Sequence, residues 1–564
     1  MLDIKKIIGG SIVIEGIDAA DIAESLTFSD EPGHGDLALP CFKFAKALRK
    51  PPVQIAQALI DSGVLSGSPY VEKTEAAGGY FNIYLKRARF GAEALSGFLS
   101  GGAAAPFPKN GRRICIDYSS INIAKPFHIG HLLTTVIGGS LYRIFTHLGY
   151  DVVGINHLGD WGTQFGKLIS AYKRWGDDAD IAARGVRGLL DLYVRFHKEA
   201  KNDPALDDEG RAYFKRIEDG DAEALKLFGY FREITLKDVG RVYDMLDVTF
   251  DSYNGESFYN DRLPAVVKSL EEKGLLTDSE GAKVVDLSDY GMPPCLILKS
   301  DGASLYATRD LATAVYRKET YDFCENLYVV AYQQNLHFKQ VFQVLTLMGY
   351  DWAGACKHIP FGMVSLEETG ALSTRSGNVV FLEDVLNTAV AKADAIIKVK
   401  NPTLRDRAET AKRVGVGAVI FTALANNRIK DMVFSYDRCL SFEGETGPYL
   451  QYTYARCRSV IEKAGAVKGG VAAAVFSDDD AFFLLKRLND FSRIVAEAGA
   501  KYEPSILSRY LIDVAKSFNR FYLSNRVLTA DADVSFTRLA LVGYTAEILK
   551  KGLQLILLKA PEKM

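Results

Sequence analysis

Two histidines flank a glycine in the run Ser119-Ser120-Ile121-Asn122-Ile123-Ala124-Lys125-Pro126-Phe127-His128-Ile129-Gly130-His131, and a lysine stands just upstream of them. Before this run Ile114 and Ile116 alternate with Cys115 and Asp117, as in a short strand. After it Leu133, Val136, Ile137, Leu141, Ile144 and Leu148 recur at helical spacing. His128 and His131 are therefore predicted on the first turn of a helix, where unpaired N–H groups and the positive end of the macrodipole favour an anion such as a triphosphate. Gly130 leaves no side chain between them, so a flat purine or a sugar can come close to the backbone. The competing reading, a capped helix start with no chemistry, rests on the same residues.

The elements around the run position it. A second apolar stretch, Val152 to Ile155, follows Gly149, which completes a βαβ unit and puts the run at the carboxyl edge of its first strand, where open α/β sheets bind ligands. Further apolar runs at Cys295 to Leu298, Leu327 to Tyr332 and Val379 to Leu382 alternate with helical patterns between about 110 and 385, predicting a doubly wound parallel sheet. Between about 175 and 250 lies a charged, helix-rich insertion with Leu189, Leu192, Tyr193 and Phe196 on one face and little that looks chemical. Beyond about 400 strand signals fade. There Ile506, Tyr510, Val514, Phe518 and Phe521 or Tyr522 follow helical spacing, as in a helical bundle. The Gly- and Ala-rich stretch Gly101 to Pro108 reads as a linker closing a first unit. The predicted domains are 1–108, 109–400 and 401–564.

Composition excludes several classes. The 564 residues are 48% hydrophobic and 24% charged, ordinary for a globular chain. No run is apolar enough to span a membrane and the N-terminus lacks a signal-peptide layout, so a cytoplasmic protein is expected. The 7 cysteines are scattered without a Cys-x-x-Cys pair, which predicts reduced thiols and no structural zinc. A net charge of −2 announces no nucleic-acid partner, so any such surface must be local. Lys43, Lys46, Arg49 and Lys50 form one candidate cluster, and Arg428, Lys430, Arg438, Arg456 and Arg458 another.

The block from Asp117 to His131, continued by Asn156-His157-Leu158-Gly159-Asp160-Trp161-Gly162-Thr163-Gln164-Phe165-Gly166, resembles the nucleotide-binding half of class I aminoacyl-tRNA synthetases, specifically the arginyl-tRNA synthetases. Gly35-Asp36-Leu37-Ala38 and Ala77-Gly78-Gly79-Tyr80-Phe81-Asn82-Ile83 resemble the family's N-terminal domain. Asn426 to Asp431, Leu440 to Tyr452 and the terminal Ala560 to Met564 resemble its anticodon-binding domain. The resemblance implies an α/β architecture: a Rossmann-type doubly wound catalytic domain, an N-terminal α+β domain and a C-terminal all-α bundle. It implies an ATP-dependent arginine–tRNA ligase that makes arginyl-adenylate and loads the terminal 2′-hydroxyl, needing bound tRNA for the activation step.

Roles follow from the resemblance residue by residue. His128, Gly130 and His131 match the first signature and would contact ATP, with Met363 and Val364 where the family's backbone pairs with adenine. The second signature corresponds to Ala371-Leu372-Ser373-Thr374-Arg375-Ser376-Gly377-Asn378, in which Ala371 and Thr374 replace both lysines. Ser373 would touch ATP, Arg375 would supply a cation, and Lys125 would serve as the lysine the family places upstream of the histidines. Tyr306 and Asp310, spaced to share a helix face, would grip the substrate guanidinium. Asp117, Ser120 and Asn122 would hold its ammonium and carboxylate, and Gln334 would add a polar contact, with Gln333 leaving a one-residue ambiguity. Asn82 would read a D-loop base or serve as a turn residue, and Tyr522 and Met564 would meet the anticodon. Mg²⁺ would arrive with ATP, with no protein metal site and no tightly bound organic cofactor. Arginine, ATP and the arginine tRNA are the expected partners of a monomer without membrane contact. A departure such as Ile121 for the usual proline, and above all the lysine-free loop, keeps a catalytically silent tRNA-binding paralogue as the alternative. A small-molecule nucleotidylyltransferase ranks last, because such enzymes lack the helical tail.

Overall fold

The computed structural model describes residues 2–29, 34–102, 104–367 and 380–564. The N-terminal unit is a four-stranded antiparallel sheet, β1 (Thr27–Phe28), β2 (Leu37–Pro40), β3 (Val71–Ala77) and β4 (Tyr80–Leu85), in the order β1-β2-β4-β3. Gly78 and Gly79, both at positive φ (56° and 85°), turn β3 into β4, as a tight hairpin requires. The basic segment beginning at Phe42 is a helix, Phe42–Leu48. Arg87 ties this unit to the C-terminal one, with Nη2 2.8 Å from Asp36 and Nη1 2.5 Å from Asp479.

The central sheet is parallel and runs β11-β10-β5-β6, with β5 (Arg113–Asp117), β6 (Asp151–Ile155), β10 (Glu325–Tyr328) and β11 (Cys356–His358). The helix Leu132–His147 connects β5 to β6, and the later strands add on the other side of β5. The strand order therefore reverses between β5 and β10, which opens a crevice above their carboxyl ends. Register aligns those ends, Ile155 with Asp117, Asp117 with Tyr328 and Tyr328 with His358. Ile114, Ile116, Leu327 and Ile155 are buried, as strands covered on both faces demand.

Two of the expected strand runs turn out otherwise. Cys295–Leu298 is a strand, β9, but it pairs antiparallel in a small separate sheet with β8 (Ala282–Val285), which pairs in turn with β7 (Leu276–Ser279). The run at Val379 to Leu382 builds no sheet strand in its described part. Phe381 makes an isolated bridge to His128, and Leu382 opens the helix Leu382–Lys400. Beyond residue 400 one strand persists, β13 (Met432–Phe434), parallel to β12 (Val364–Leu366). It belongs spatially with the nucleotide unit, whereas the helices Gly447–Ala464, Asp479–Asn489, Phe491–Ala500, Ser505–Ser524 and Ala532–Leu555 form the predicted bundle. In that bundle Val514, Phe518 and Phe521 are fully buried and Tyr522 faces out, matching the periodicity.

The insertion folds as the helices Asp178–Arg184, Val186–Glu199, Ala205–Glu218 and Ala222–Leu246. Leu189 and Phe196 are buried on the expected face. No helix among the described residues is long and apolar enough to cross a membrane, and the cysteines are free thiols.

Candidate active site

The loop leaving β5 carries backbone strain. Ser119, Ser120 and Ala124 all sit at positive φ (69°, 44° and 57°), a conformation costing non-glycine residues roughly 1–3 kcal/mol each unless the surroundings enforce it. The surroundings do so with buried hydrogen bonds. The Ser119 amide donates to Thr134 Oγ1 (3.0 Å), which itself donates to the Val329 carbonyl at the end of β10 (2.7 Å). Ser119 Oγ meets the Tyr243 hydroxyl (2.8 Å), and the Ala124 amide donates to Thr235 Oγ1 (3.0 Å). Tyr243 and Thr235 belong to the insertion helix Ala222–Leu246. The insertion thus holds the signature loop in place, a role its charged, amphipathic pattern does not announce.

His128 caps a short 3₁₀ turn, Ile129–His131, that runs into the helix Leu132–His147. Its Nδ1 accepts the Gly130 amide (3.0 Å), while His131 Nδ1 accepts the His128 amide (3.2 Å). The rings lie 4.1 Å apart. Burial pushes the pKa of His131 down to about 3, with His128 and Lys125 acting in the same direction, and burial lowers His128 as well. Both imidazoles are neutral near pH 7. With its Nδ1 accepting the Gly130 amide, neutral His128 carries its proton on Nε2, whereas His131 Nδ1 lies between the His128 amide (3.2 Å) and the His128 carbonyl (3.3 Å). Burial also lowers the pKa of Lys125, against the pull of Glu256.

Gly130 also has a reason within the turn itself. A Cβ there would lie 2.7 Å from His128 Cε1 and 2.8 Å from its Nδ1, so the missing side chain makes room for the His128 ring itself. Gly130→Ala should push that ring off its amide and lower kcat by about tenfold or more, the loss of roughly one hydrogen bond, while the melting temperature moves little. An unchanged kcat would show that the ring's position does not matter.

Across the crevice lies an acidic pocket. Tyr306, 71% exposed, and Asp310 occupy the first turns of the helix Tyr306–Tyr321, on one face as expected. Asp310 is already engaged: its Oδ2 lies 2.5 Å from His337 Nε2. Glu256, which the sequence reading passed over, is the pocket's second acid. Burial raises its pKa to about 7, with Arg309 opposing and Asp310 and Asp160 adding to the rise. Arg309 fixes the segment by donating from Nη1 to the Glu256 carbonyl (2.9 Å) and to Asn260 Oδ1 (2.6 Å). Asp160, 1% exposed, anchors it from below by accepting the amide and hydroxyl of Ser257. A buried carboxyl such as Glu256, held beside the charges of Asp310 and Asp160, is relaxed by a bound cation.

Asp117 is buried, its Oδ2 paired with Arg317 Nη2 (2.6 Å) and its Oδ1 accepting the Ser120 hydroxyl (2.7 Å). Asn122 is exposed beside Gly159, where a Cβ would come within 2.4 Å of Asn122 Oδ1. Gln333 and Gln334 are both exposed on the turn Tyr332–Gln334 ahead of His337.

The Met363 amide donates to Asp431 Oδ1 (2.7 Å) and its carbonyl accepts the Met432 amide (2.8 Å). Val364 pairs with Met432 in register, and alternation along a parallel ladder turns its groups to the opposite edge. Ser373 and Arg375, with the replaced lysine positions Ala371 and Thr374, lie outside the described residues.

On the expected RNA face, Asn82 is not a turn residue. It lies inside β4, paired with Ala38 and Glu75 and only 5% exposed, leaving little surface for a base. Phe42 and Tyr80, 51% and 42% exposed with ring centroids 5.3 Å apart, present the nearby aromatic surface. Tyr522 is open, stacked on Phe518, with Arg456 lying over both it and Tyr452. Met564 packs against the core, and its carbonyl accepts from Asn401 Nδ2 (3.1 Å).

Comparison with known proteins gives the family. A family model for the catalytic domain of class I (R) tRNA synthetases matches residues 96–436, one for the arginyl-tRNA synthetase N-terminal domain matches 3–85, and one for the DALR anticodon-binding domain matches 450–564. The chain is 48% identical to the arginine–tRNA ligase of Alkaliphilus metalliredigens over 98% of its own length and 97% of the relative's. It is 51% identical to that of Clostridium botulinum over 94% of both. The Thermus thermophilus arginyl-tRNA synthetase structure superposes with a TM-score of 0.83 at 28% identity, covering 96% of each chain. Carrying all three of that family's domains in order, at about half identity from end to end, this chain belongs to the class I arginyl-tRNA synthetases.

Proposed function

We propose that the crevice activates arginine with the acidic pocket and the histidine turn working side by side. The chain is an ATP-dependent arginine–tRNA ligase. The observation that carries the site reading is proximity: Lys125, on the histidine loop, is near enough to Glu256 to feel its charge, and Glu256 to feel that of Asp310. A cationic side chain and a triphosphate are thereby brought to one place. Asp310 and Glu256 hold the guanidinium with Tyr306 over its plane, and Ser120 and Asn122 take the ammonium and carboxylate end with Asp117 behind them as the loop's anchor. Gln334, or its neighbour Gln333, adds a polar contact.

The arginine carboxylate oxygen attacks the α-phosphorus of ATP. A new O–P bond forms, the bond to the pyrophosphate oxygen breaks, and pyrophosphate leaves with the electron pair. His128 and His131 donate Nε2–H to the phosphates, and Lys125 and Arg375 add positive charge. The histidine donors, fixed before the reaction, stabilise developing charge without reorganising. Val364 rather than Met363 is the backbone partner for adenine. Mg²⁺ would arrive with the triphosphate, which supplies its ligands, and would add charge that neutralises the leaving group. The adenylate then passes arginine to the terminal 2′-hydroxyl of tRNA, releasing AMP.

The domain reading places 1–108 on the tRNA elbow and the helical bundle on the anticodon. Phe42, Tyr80 and the adjoining lysines contact the elbow, with Asn82 behind them. Tyr522 and Arg456 form the anticodon surface, with Met564 bracing the C-terminus beside it. Tyr522→Ala should raise the KM for tRNA roughly tenfold or more with the KM for arginine unchanged, since stacking contributes about 1 to 3 kcal/mol per base. Equal KM values would remove Tyr522 from the interface. We also place the protein in the cytoplasm as a monomer.

The test of the whole reading is charging of arginine tRNA with labelled arginine, lysine or canavanine. Charging with arginine and not lysine is expected. Equal charging of lysine would contradict a pocket built for a planar guanidinium, which two carboxylates grip bidentately and an ammonium cannot match.

A further inference from the structure

His337 stands on the first turn of the helix Asn335–Leu347 and points at the carboxylate assigned to the substrate. The 2.5 Å contact joins its Nε2 to Asp310 Oδ2, and its ring lies edge-on to Phe338, which stacks on His358. We propose that His337 is a positioning residue of the guanidinium pocket, that it holds Asp310 in the empty site as a stand-in cation, and that arginine takes over the carboxylate while the imidazolium gives its Nε2 proton to solvent. This rests on the placement of arginine at Asp310.

The surrounding groups narrow the proton to His337 and Glu256. Burial alone would lower the pKa of His337, but the hydrogen bond it donates to Asp310 and the charge of that carboxylate outweigh burial, and the net shift is upward. From β9, Cys295 faces Asp310 with a thiol that burial pushes up to about 12, so it stays protonated and uncharged. His157, at the end of β6, and His358, on β11, are both lowered mainly by burial and are neutral. Arg309 keeps its charge. Glu256 titrates at about 7. A guanidinium on Asp310 removes the hold on the imidazolium and places a like charge beside it. The bound-state pKa of His337 therefore drops below the free-state value. Arginine affinity is full above the free-state pKa and falls as pH falls through it, and protonation of Glu256 acts with the same sign.

The experiment is calorimetric titration of the full-length protein with arginine, near pH 7, in two buffers of different ionisation enthalpy, which counts protons released per arginine bound. The KM for arginine at about pH 6 and about pH 8 completes it. His337→Gln keeps a polar side chain that cannot titrate in this range. It should release measurably fewer protons than wild type, bind arginine within about threefold of wild type at the higher pH, and show a KM ratio between the two pH values at least about threefold smaller. Glu256→Gln should keep the His337 share of the release. Proton release by His337→Gln equal to wild type would overturn the proposal, as would a uniform loss of affinity at every pH, which would mark a purely structural role. If Asp310→Ala leaves arginine affinity untouched, the site placement fails first, and the proposal with it.

Discussion

Asp310→Ala should lower kcat/KM for arginine by roughly a thousandfold while the KM for ATP stays within a few-fold. The carboxylate is mostly shielded from water, with 21% of its side chain exposed, and a charge pair broken in such a setting costs about 3–5 kcal/mol, near three powers of ten. The loss has two parts. The guanidinium forfeits one of its two carboxylates, and His337 loses the partner that keeps its pKa above the ordinary value. Asp310→Asn, which keeps an acceptor oxygen but no charge, should recover a minor share. A loss below about tenfold in the alanine variant would place the guanidinium elsewhere in the crevice.

His131→Ala should lower kcat for adenylate formation by about 10²–10³ with little change in the KM for arginine, the effect expected of one fixed donor on a developing phosphate charge. The same change strips the His128 amide of its acceptor, so part of the effect passes through the neighbouring ring. His131→Asn, whose side-chain oxygen can cap that amide, separates the two and should be the milder variant. Because burial holds the His131 pKa near 3, the ring is neutral throughout the working range, and kcat should show no titration attributable to it between about pH 5 and 9. A kcat that falls as an imidazole of ordinary pKa loses its proton would mean that the cationic form is the one acting.

The histidine turn was legible because its signal is local. Alternating Ile114 and Ile116, then apolar residues at helical spacing from Leu133 on, define strand, turn and helix without reference to the rest of the chain. That Tyr306 and Asp310 share one helix face was legible from their spacing, while their role came from the family resemblance. What escaped depends on long-range packing. Glu256 lies in an irregular turn with no periodicity and becomes part of the pocket only because Arg309 and Asp160 hold that turn. Tyr243 reads as a core aromatic of the insertion, and only the tertiary fold brings its hydroxyl to Ser119 and Asn156. Asn82 beside two glycines looked like a turn, yet the turn is made by Gly78 and Gly79 and Asn82 falls within the strand. The direction in which Cys295–Leu298 pairs, and the existence of β13, depend on partners far along the chain.

The most direct measurement is arginine-dependent exchange of labelled pyrophosphate into ATP by the purified protein, with and without arginine tRNA. The account predicts exchange with arginine and tRNA present, none with lysine, and none without tRNA. It also predicts that the reaction proceeds although Ala371 and Thr374 stand at the second signature's lysine positions. No exchange under any condition, from a protein that still binds tRNA, would contradict an active site assembled from the histidine turn and the acidic pocket.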